Sequence, residues 1–288
     1  MSQTPSIKQE IRIKGFHSIY YFAFSKDFYH DPEQHDSWEM VYVDNGKVNA
    51  MSNGVGCVLE QGQAIFHCPM ESHAHVSDKR VANNMVVVSF TAEGKKMKEF
   101  KGKTFTLDKT AKTLLTLFLE EVKEALGKVP DDYNDRTPPN FQNAPFGASQ
   151  LLQCYFTEFL IKLLRADNGV SVVPNKDARA ISNNSVCTLI IEYMKRSVNK
   201  NLNLKDVCDL FFIGKTQLCK IFKEHVGKSP MDYFADLKTE SAKKLLQEKK
   251  MSVSEISDAL GYSSVHNFSR AFKKYAGYSP SAYRKKIL

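Results

Sequence analysis

The chain has 288 residues, enough for about two domains that each bury a core, and its 42% hydrophobic and 25% charged residues exclude a wholly disordered polymer. Its formal net charge of +8 is unevenly placed: residues 184–288 carry 19 Lys/Arg against 10 Asp/Glu, whereas residues 1–183 carry 21 against 22. No stretch approaches the roughly 20 apolar residues of a membrane span, and the polar start Met1-Ser2-Gln3-Thr4-Pro5-Ser6 lacks the apolar run of a secretory signal, so a cytoplasmic protein without a membrane partner is expected.

Residues 10–107 read as strands at 18–24, 39–43, 46–51, 56–59, 64–67 and 85–91, which are short β-branched and aromatic runs punctuated by Asp44-Asn45-Gly46 and Asn53-Gly54. Closely spaced short strands favour a small barrel or jelly roll, because closure or stacking protects their edges. An open antiparallel sheet is the alternative. Next, 108–126 carries helical apolar spacing (Leu114, Leu115, Leu117, Phe118, Val122, Leu126), with Asp108 as N-cap and Gly127 as stop. A second helix is predicted over 149–166. Its stripe (Leu151, Leu152, Tyr155, Phe156, Phe159, Leu160, Leu163, Leu164) exceeds one face, so it requires a partner: the first helix and the barrel wall, or its own copy in a second subunit. Between the helices, 129–147 is rich in Pro, Asn and Asp and is expected to be a mobile loop.

Breakers recur over 167–184 (Gly169, Pro174, Asn183-Asn184), and the charge changes there, which places a linker. The expected organisation is a sensor of strands at 1–107, a helical pair and candidate dimerisation element at 108–166, the linker at 167–184 and a DNA-binding domain at 185–288. The six cysteines (57, 68, 154, 187, 208, 219) form no Cys-x-x-Cys pair, so reduced thiols are expected rather than disulfides or a zinc site.

The basic third contains a duplication. Seven identities recur at a separation of fifty residues: Leu210/Leu260, Phe222/Phe272, Lys223/Lys273, Gly227/Gly277, Ser229/Ser279, Pro230/Pro280 and Tyr233/Tyr283. Short helices are predicted at 185–197, 204–211, 215–225, 231–247, 253–260, 264–275 and 280–286, with Ser263 as an N-cap. The second with the third, and the fifth with the sixth, have helix-turn-helix spacing, and the fourth is a spacer that sets the readers near one DNA turn apart. In each reader Leu218, Ile221, Phe222 and His225, or Phe268, Ala271, Phe272 and Tyr275, face inward. The outward residues are candidates for bases: Thr216, Gln217, Cys219 and Lys220 in the first, and Val265, His266, Asn267, Ser269 and Arg270 in the second. Arg270 suits guanine, Asn267 or Gln217 adenine, and Val265 a thymine methyl. Lys223, Lys273 and Lys274 are candidates for phosphates.

Residues 185–288 resemble the DNA-binding domain of AraC-type (AraC/XylS) bacterial transcriptional regulators, above all in the run from Ile256 to Arg284 with its Gly277-Tyr278-Ser279-Pro280 turn and Tyr283-Arg284 end. The resemblance implies that both readers face DNA, with Thr216, Cys219 and Lys220, and His266, Asn267 and Arg270, toward bases. The first turn departs from the pattern, since Phe212-Ile213-Gly214 replaces a glycine followed by a serine cap. Upstream, the strands resemble the cupin barrel of such regulators: His35-x3-Glu39-x6-Gly46 is similar to the later part of the first cupin motif, with Glu33 where its first histidine would stand, and the vaguer second motif is represented by Gly62 to Pro69, then His73 and His75. Two imidazoles and a carboxylate from adjacent strands suit an open divalent-metal site, as in cupin enzymes. Against that, histidine and glutamate are common near strand ends, and the same groups suit hydrogen bonds to a polar effector, which is the reading preferred.

The expected fold is therefore an α+β multidomain protein, a cupin-like β-barrel followed by two helices and an all-α domain with two helix-turn-helix units. The effector site is assigned to Tyr21, His35, Trp38, Glu39, Tyr42, His73 and His75, for a sugar or other polar metabolite, without a metal or cofactor. Tyr20, Phe24 and Phe66 join the aromatic candidates. The function expected is an effector-controlled, sequence-specific regulator that binds promoter DNA as a homodimer and engages RNA polymerase if it activates. A metal-dependent cupin enzyme with an appended nucleic-acid-binding domain is the runner-up. A constitutive DNA-binding protein whose barrel only dimerises is the third reading.

Overall fold

The computed structural model describes residues 8–77, 82–132, 135, 137–172 and 179–286. They fall into two compact units, Met1–Ser185 and Val186–Leu288. In the first unit, strands β1 (Arg12–Phe24), β2 (Tyr29–Glu33), β3 (Trp38–Asn45), β4 (Lys47–Ser52), β5 (Val55–Glu60), β6 (Gln63–His67), β7 (His73–Ser77), β8 (Asn83–Glu93), β9 (Lys103–Thr106) and β10 (Val170–Ser171) build two antiparallel sheets. One has the order β1-β8-β3-β6-β9-β10 and the other β2-β7-β4-β5.

Period-two alternation gives the larger sheet two buried faces. On β3, Val41 and Val43 join Ile65, Met85 and the second sheet's Val48, Ala50 and Leu59 in an inner core. Trp38, Met40 and Tyr42 take the opposite face, with Phe66, Val88 and Phe90, beneath helices α1 (Lys109–Leu126) and α2 (Ala148–Ala166). Leu114, Leu115, Phe118 and Val122 of α1, and Leu152, Phe156, Phe159, Leu160 and Leu163 of α2, fill that outer layer. The over-long apolar stripe of α2 therefore finds its partner within the unit, leaving Leu151 41% exposed. Asp108 caps α1 by accepting from the Ala111 N–H at 2.8 Å, and Gly127 closes it at φ 79°.

Segment 129–147, expected to be a mobile loop, is tied to β1 by the Tyr21 N–H to the Pro130 carbonyl at 3.0 Å and by the Tyr20 hydroxyl to the Asp135 carbonyl. The segment expected as a linker, 167–184, holds structure as well: β10 pairs with β9, and helix α3 (Arg179–Arg196) begins there. Edge pairing satisfies main-chain groups around Gly169 that composition alone would leave to solvent. Pro174 lies outside the described residues.

The second unit holds α4 (Leu204–Leu210), α5 (Lys215–His225), α6 (Pro230–Glu248), α7 (Val253–Ala259), α8 (Val265–Ala276) and α9 (Pro280–Lys286). The duplication is visible in its caps. Asn203 and Asp206 form a capping box on α4, as Ser252 and Glu255 do on α7. Those equivalents are 49 apart, whereas Gly214 and Ser264, the caps of α5 and α8, are 50 apart. The second turn thus holds one more residue than the first. Phe211, fully buried, takes the place of Leu260, so the Leu210/Leu260 identity is a coincidence of spacing.

Two further expectations change. The cap of α8 is Ser264, which accepts from the Asn267 N–H at 3.2 Å, rather than Ser263, which accepts from the Asn267 side-chain amide at 2.9 Å. His225 is exposed rather than inward, because α5 ends there. The aromatic identities are scaffold: the Phe222 and Tyr233 rings meet at 6.0 Å and the Phe272 and Tyr283 rings at 5.6 Å.

Candidate functional site

Among β1, β2, β3, β7 and β8 the first unit holds a half-open cavity of about 360 Å³. One side is aromatic, from Tyr20, Phe22, Phe24 and Phe28, and the other is ionisable, from His30, Glu33, His35, Glu39 and His75. Alternation decides which expected residues reach it. On β1, Tyr20, Phe22 and Phe24 turn inward, so Tyr21 points away, and its hydroxyl donates to Asp44 at 2.7 Å. On β3, Glu39 and Val41 face the cavity, whereas Trp38 and Tyr42 belong to the outer core under the helices, as does Phe66 of β6. The assignment of Tyr21, Trp38 and Tyr42 is thus one register out, and Tyr20, Phe22 and Phe24 stand in their stead.

The histidine and carboxylate candidates do converge. Donor atoms of Glu33, His35, Glu39 and His73 all lie within 4.8 Å of one another. His73 Nε2 stands 3.3 Å from Glu39 and 3.5 Å from Glu33, and His35 Nε2 stands 3.4 Å from Glu39 and 4.0 Å from Glu33. His73 and Glu39 are buried, at 1% and 5% exposure. Three of the four are held from behind: His73 Nδ1 donates to the Glu71 carbonyl at 2.9 Å, His35 Nδ1 meets Ser37 Oγ at 2.8 Å, and Glu39 accepts from Ser89 at 3.0 Å.

The charges are strongly coupled. Burial pushes the Glu39 carboxyl up, but the His73 and His35 imidazoles outweigh it and hold Glu39 well below the usual carboxylate range. Burial likewise lowers His73, yet Glu39 and Glu33 together raise it to about 10. The Glu39 carboxylate facing it raises His35, and although burial pushes Glu33 up, His73 outweighs that and leaves it lowered.

His75, grouped with His73 in the sequence reading, belongs to a second network. His67 Nδ1 meets Glu71 Oε1 at 3.0 Å and Ser52 Oγ at 2.9 Å, and its Nε2 meets His75 Nε2 at 3.1 Å. Burial first, then neighbouring imidazoles, lowers both His67 and His75. Burial raises Glu71, but His67 and other donors bring it to about 2. A neutral His67 therefore donates through Nδ1 to Glu71 and accepts from His75. Sequence reasoning missed His30, because β2 is too polar for an apolar alternation to show, and Phe28, which precedes it; Phe22 and His67 lie on strands that were expected, β1 and β6, but their facing was not read. For the histidines the signal was the density of histidine and glutamate over 30–39 and 67–75.

In the second unit the outward residues lie as helical spacing requires. Leu218, Ile221 and Phe222 of α5, and Phe268 and Phe272 of α8, are buried. Thr216, Gln217, Lys220, Lys223, His266, Asn267, Arg270, Lys273 and Lys274 are exposed, and Cys219, Val265 and Ser269 are half-buried. Some are already engaged. Lys220 stands 3.9 Å from Glu224, Lys223 donates to the Gly227 carbonyl at 3.4 Å, and Lys274 lies 4.8 Å over the Tyr275 ring. The Asn267 amide is held on Ser263, which leaves its oxygen to face outward.

Comparison with known proteins follows this division. Residues 16–108 match the family described as the AraC-like ligand binding domain, and residues 207–286 match a helix-turn-helix domain family, which together make up more than half of the chain. The chain is 34% identical over 99 residues to the raffinose operon transcriptional regulatory protein RafR of Pediococcus pentosaceus, covering 34% of this chain and 36% of that one. It is 34% identical over 95 residues to the MmsAB operon regulatory protein of Pseudomonas aeruginosa, covering 33% and 31%. The similarity thus spans about a third of the length of these curated relatives. Among solved structures, the C-terminal domain of AraT, a response regulator from Geobacillus stearothermophilus, is similar at 28% identity and a TM-score of 0.33, covering 34% of this chain and 81% of that one. With both domain matches in chain order and relatives named as transcriptional regulators, the chain belongs to the AraC-type family.

Proposed function

We propose that this chain is a sequence-specific DNA-binding transcriptional regulator, acting in the cytoplasm, whose first unit receives a small-molecule effector. The observation that carries the reading is the pair of helix-turn-helix units, each presenting small polar and basic residues outward on a domain with nine excess positive charges over residues 184–288. Spacer α6, 19 residues long, extends about 28 Å at ~1.5 Å per residue. With the width of the flanking helices, that brings the readers near the ~34 Å repeat of the major groove. One chain then fills two adjacent grooves.

Thr216, Gln217, Cys219 and Lys220, with Val265, His266, Asn267, Ser269 and Arg270, read bases, and Lys223, Lys273 and Lys274 hold phosphates. The aromatic side of the cavity takes an apolar or ring face of the effector, and the ionisable side takes its polar groups. Effector binding alters promoter occupancy through a coupling free energy, commonly about 1–3 kcal/mol. Regulation rather than catalysis is favoured by the regulator names of the curated relatives. A homodimer formed through α1 and α2, and contact with RNA polymerase where the protein activates, complete the proposal.

Fluorescence anisotropy with a selected duplex tests the reader assignment. Arg270→Ala is expected to weaken binding by about 1–3 kcal/mol and relax selectivity at one base position, whereas Lys273→Ala weakens all sequences alike and lowers the salt slope by about one. Equal, sequence-independent losses in both variants would overturn it.

A further inference from the structure

The Glu33, His35, Glu39 and His73 cluster has the marks of a coordination shell rather than of an ion-pair network. Charge-assisted hydrogen bonds close to about 2.7–2.9 Å. Here the facing atoms stand off at 3.3, 3.4, 3.5 and 4.0 Å. Nε2 of His35 and of His73 are both buried, and neither has a hydrogen-bond partner among the described residues. Such a polar atom inside a protein is costly to leave unsatisfied. The spacing is that of ligands around an ion: donors at ~2.0–2.2 Å from a metal lie roughly 3.3–3.6 Å apart in a tetrahedron and from about 3 Å upward in an octahedron.

The orientation agrees. The Glu71 carbonyl can only accept, so His73 Nδ1 carries a hydrogen, and once a metal ion displaces the proton on Nε2 the lone pair there points into the cluster. Ser37 Oγ, which is able to accept from His35 Nδ1, backs that ring, and Ser89 donates to Glu39, so three of the four groups have the outer partners that orient metal ligands. Two carboxylates balance the charge of a divalent ion. Imidazole with carboxylate selects a first-row transition ion over Mg²⁺ or Ca²⁺. The cavity reaches Glu33, His35 and Glu39, which provides an entry path.

We propose that Glu33, His35, Glu39 and His73 bind one divalent transition-metal ion at the mouth of the effector cavity. This replaces the sequence expectation of hydrogen bonding without a metal, and it stands whether or not the second unit binds DNA.

Full-length protein stripped with a chelator and titrated with Co(II) tests the proposal. One equivalent is expected to produce visible d–d bands, which one equivalent of Zn(II) then displaces. His73→Ala and Glu39→Gln are each expected to weaken Co(II) binding at least about tenfold, the scale of losses seen even for outer-shell changes. His35, whose side chain is 29% exposed, supplies the variant that keeps the fold: His35→Ala should match the wild-type circular dichroism and melting profile without metal, yet lose the bands. His225→Ala, on the exposed end of α5, should bind Co(II) as wild type does. Absence of stoichiometric binding, or wild-type bands in His35→Ala, would overturn the proposal.

Discussion

The two turns of the duplicated domain solve one geometric problem with different residues. Gly261 adopts φ +66°, and its equivalent in the shorter first turn, Phe212, adopts φ +50°. A non-glycine residue in the left-handed region costs roughly 1–2 kcal/mol. At Gly261 an added Cβ also stands 2.8 Å from the Asn199 carbonyl carbon and closer still to its oxygen, so main chain must move. Alanine lowers unfolded-chain entropy, which offsets about 0.4–1 kcal/mol. Gly261→Ala is therefore expected to cost about 2 kcal/mol or more, equivalent to ~8–16 °C for a unit of this size. Phe212→Gly relieves strain of similar origin, and its ring is 53% exposed, so a net gain of about 0.5 kcal/mol is expected.

Urea unfolding of the full chain separates the effects. Trp38, the single tryptophan, lies in the first unit, so its fluorescence reports that unit while helical circular dichroism is dominated by the second. Gly261→Ala should move the dichroism transition to lower urea and leave the fluorescence transition in place. Wild-type stability in Gly261→Ala, or a larger loss in Phe212→Gly than in Gly261→Ala, would refute the reasoning.

Other expectations are briefer. Phe156 is fully buried against Phe90, Phe118 and Phe159, with ring centroids 4.9, 5.0 and 5.8 Å away; Phe156→Ala should cost the first unit about 3–5 kcal/mol, read from the Trp38 transition. Asp108→Ala removes the α1 cap and should cost about 1 kcal/mol by the same readout. Lys238, buried on α6, donates to the Leu260 carbonyl at 2.5 Å and lies 4.7 Å over the Tyr262 ring, and burial lowers its pKa to about 8. Because the folded state disfavours its charged form, Lys238 weakens the second unit fully below about pH 8, and the penalty fades as pH rises toward the ordinary 10.5. The stability advantage of Lys238→Met over wild type should shrink across that window; an advantage that grows with pH would count against the assignment.

The second unit was legible because its information is local. Helical spacing placed Leu218, Phe222, Phe268 and Phe272 inward, and caps and turns set the ends of α4 to α9 within a residue or two. Where the reading slipped, at Ser263 against Ser264 and Leu210 against Phe211, the cause was one extra residue in a turn, which composition does not reveal. The first unit was legible only in its apolar strands. Strands β2 and β7 carry His30, Glu33, His73 and His75, so the groups that build the site erase the pattern that would have announced the strand. Tyr20 and Tyr21 are both aromatic candidates in the sequence, and only the facing of β1 in the sheet decides that Tyr20 lines the cavity. The convergence of Glu33, His35, Glu39 and His73 is a product of strands from both sheets, beyond the reach of spacing along one.

The most direct test of the account is selection of duplexes from a random library by the full-length protein, followed by binding at two salt concentrations. The expected result is an enriched site of two dissimilar boxes about 10–10.5 base pairs apart, centre to centre, whose affinity falls with salt yet stays above that of scrambled sequence. Enrichment of no site, or binding equal to scrambled duplex at both salt concentrations, would contradict it.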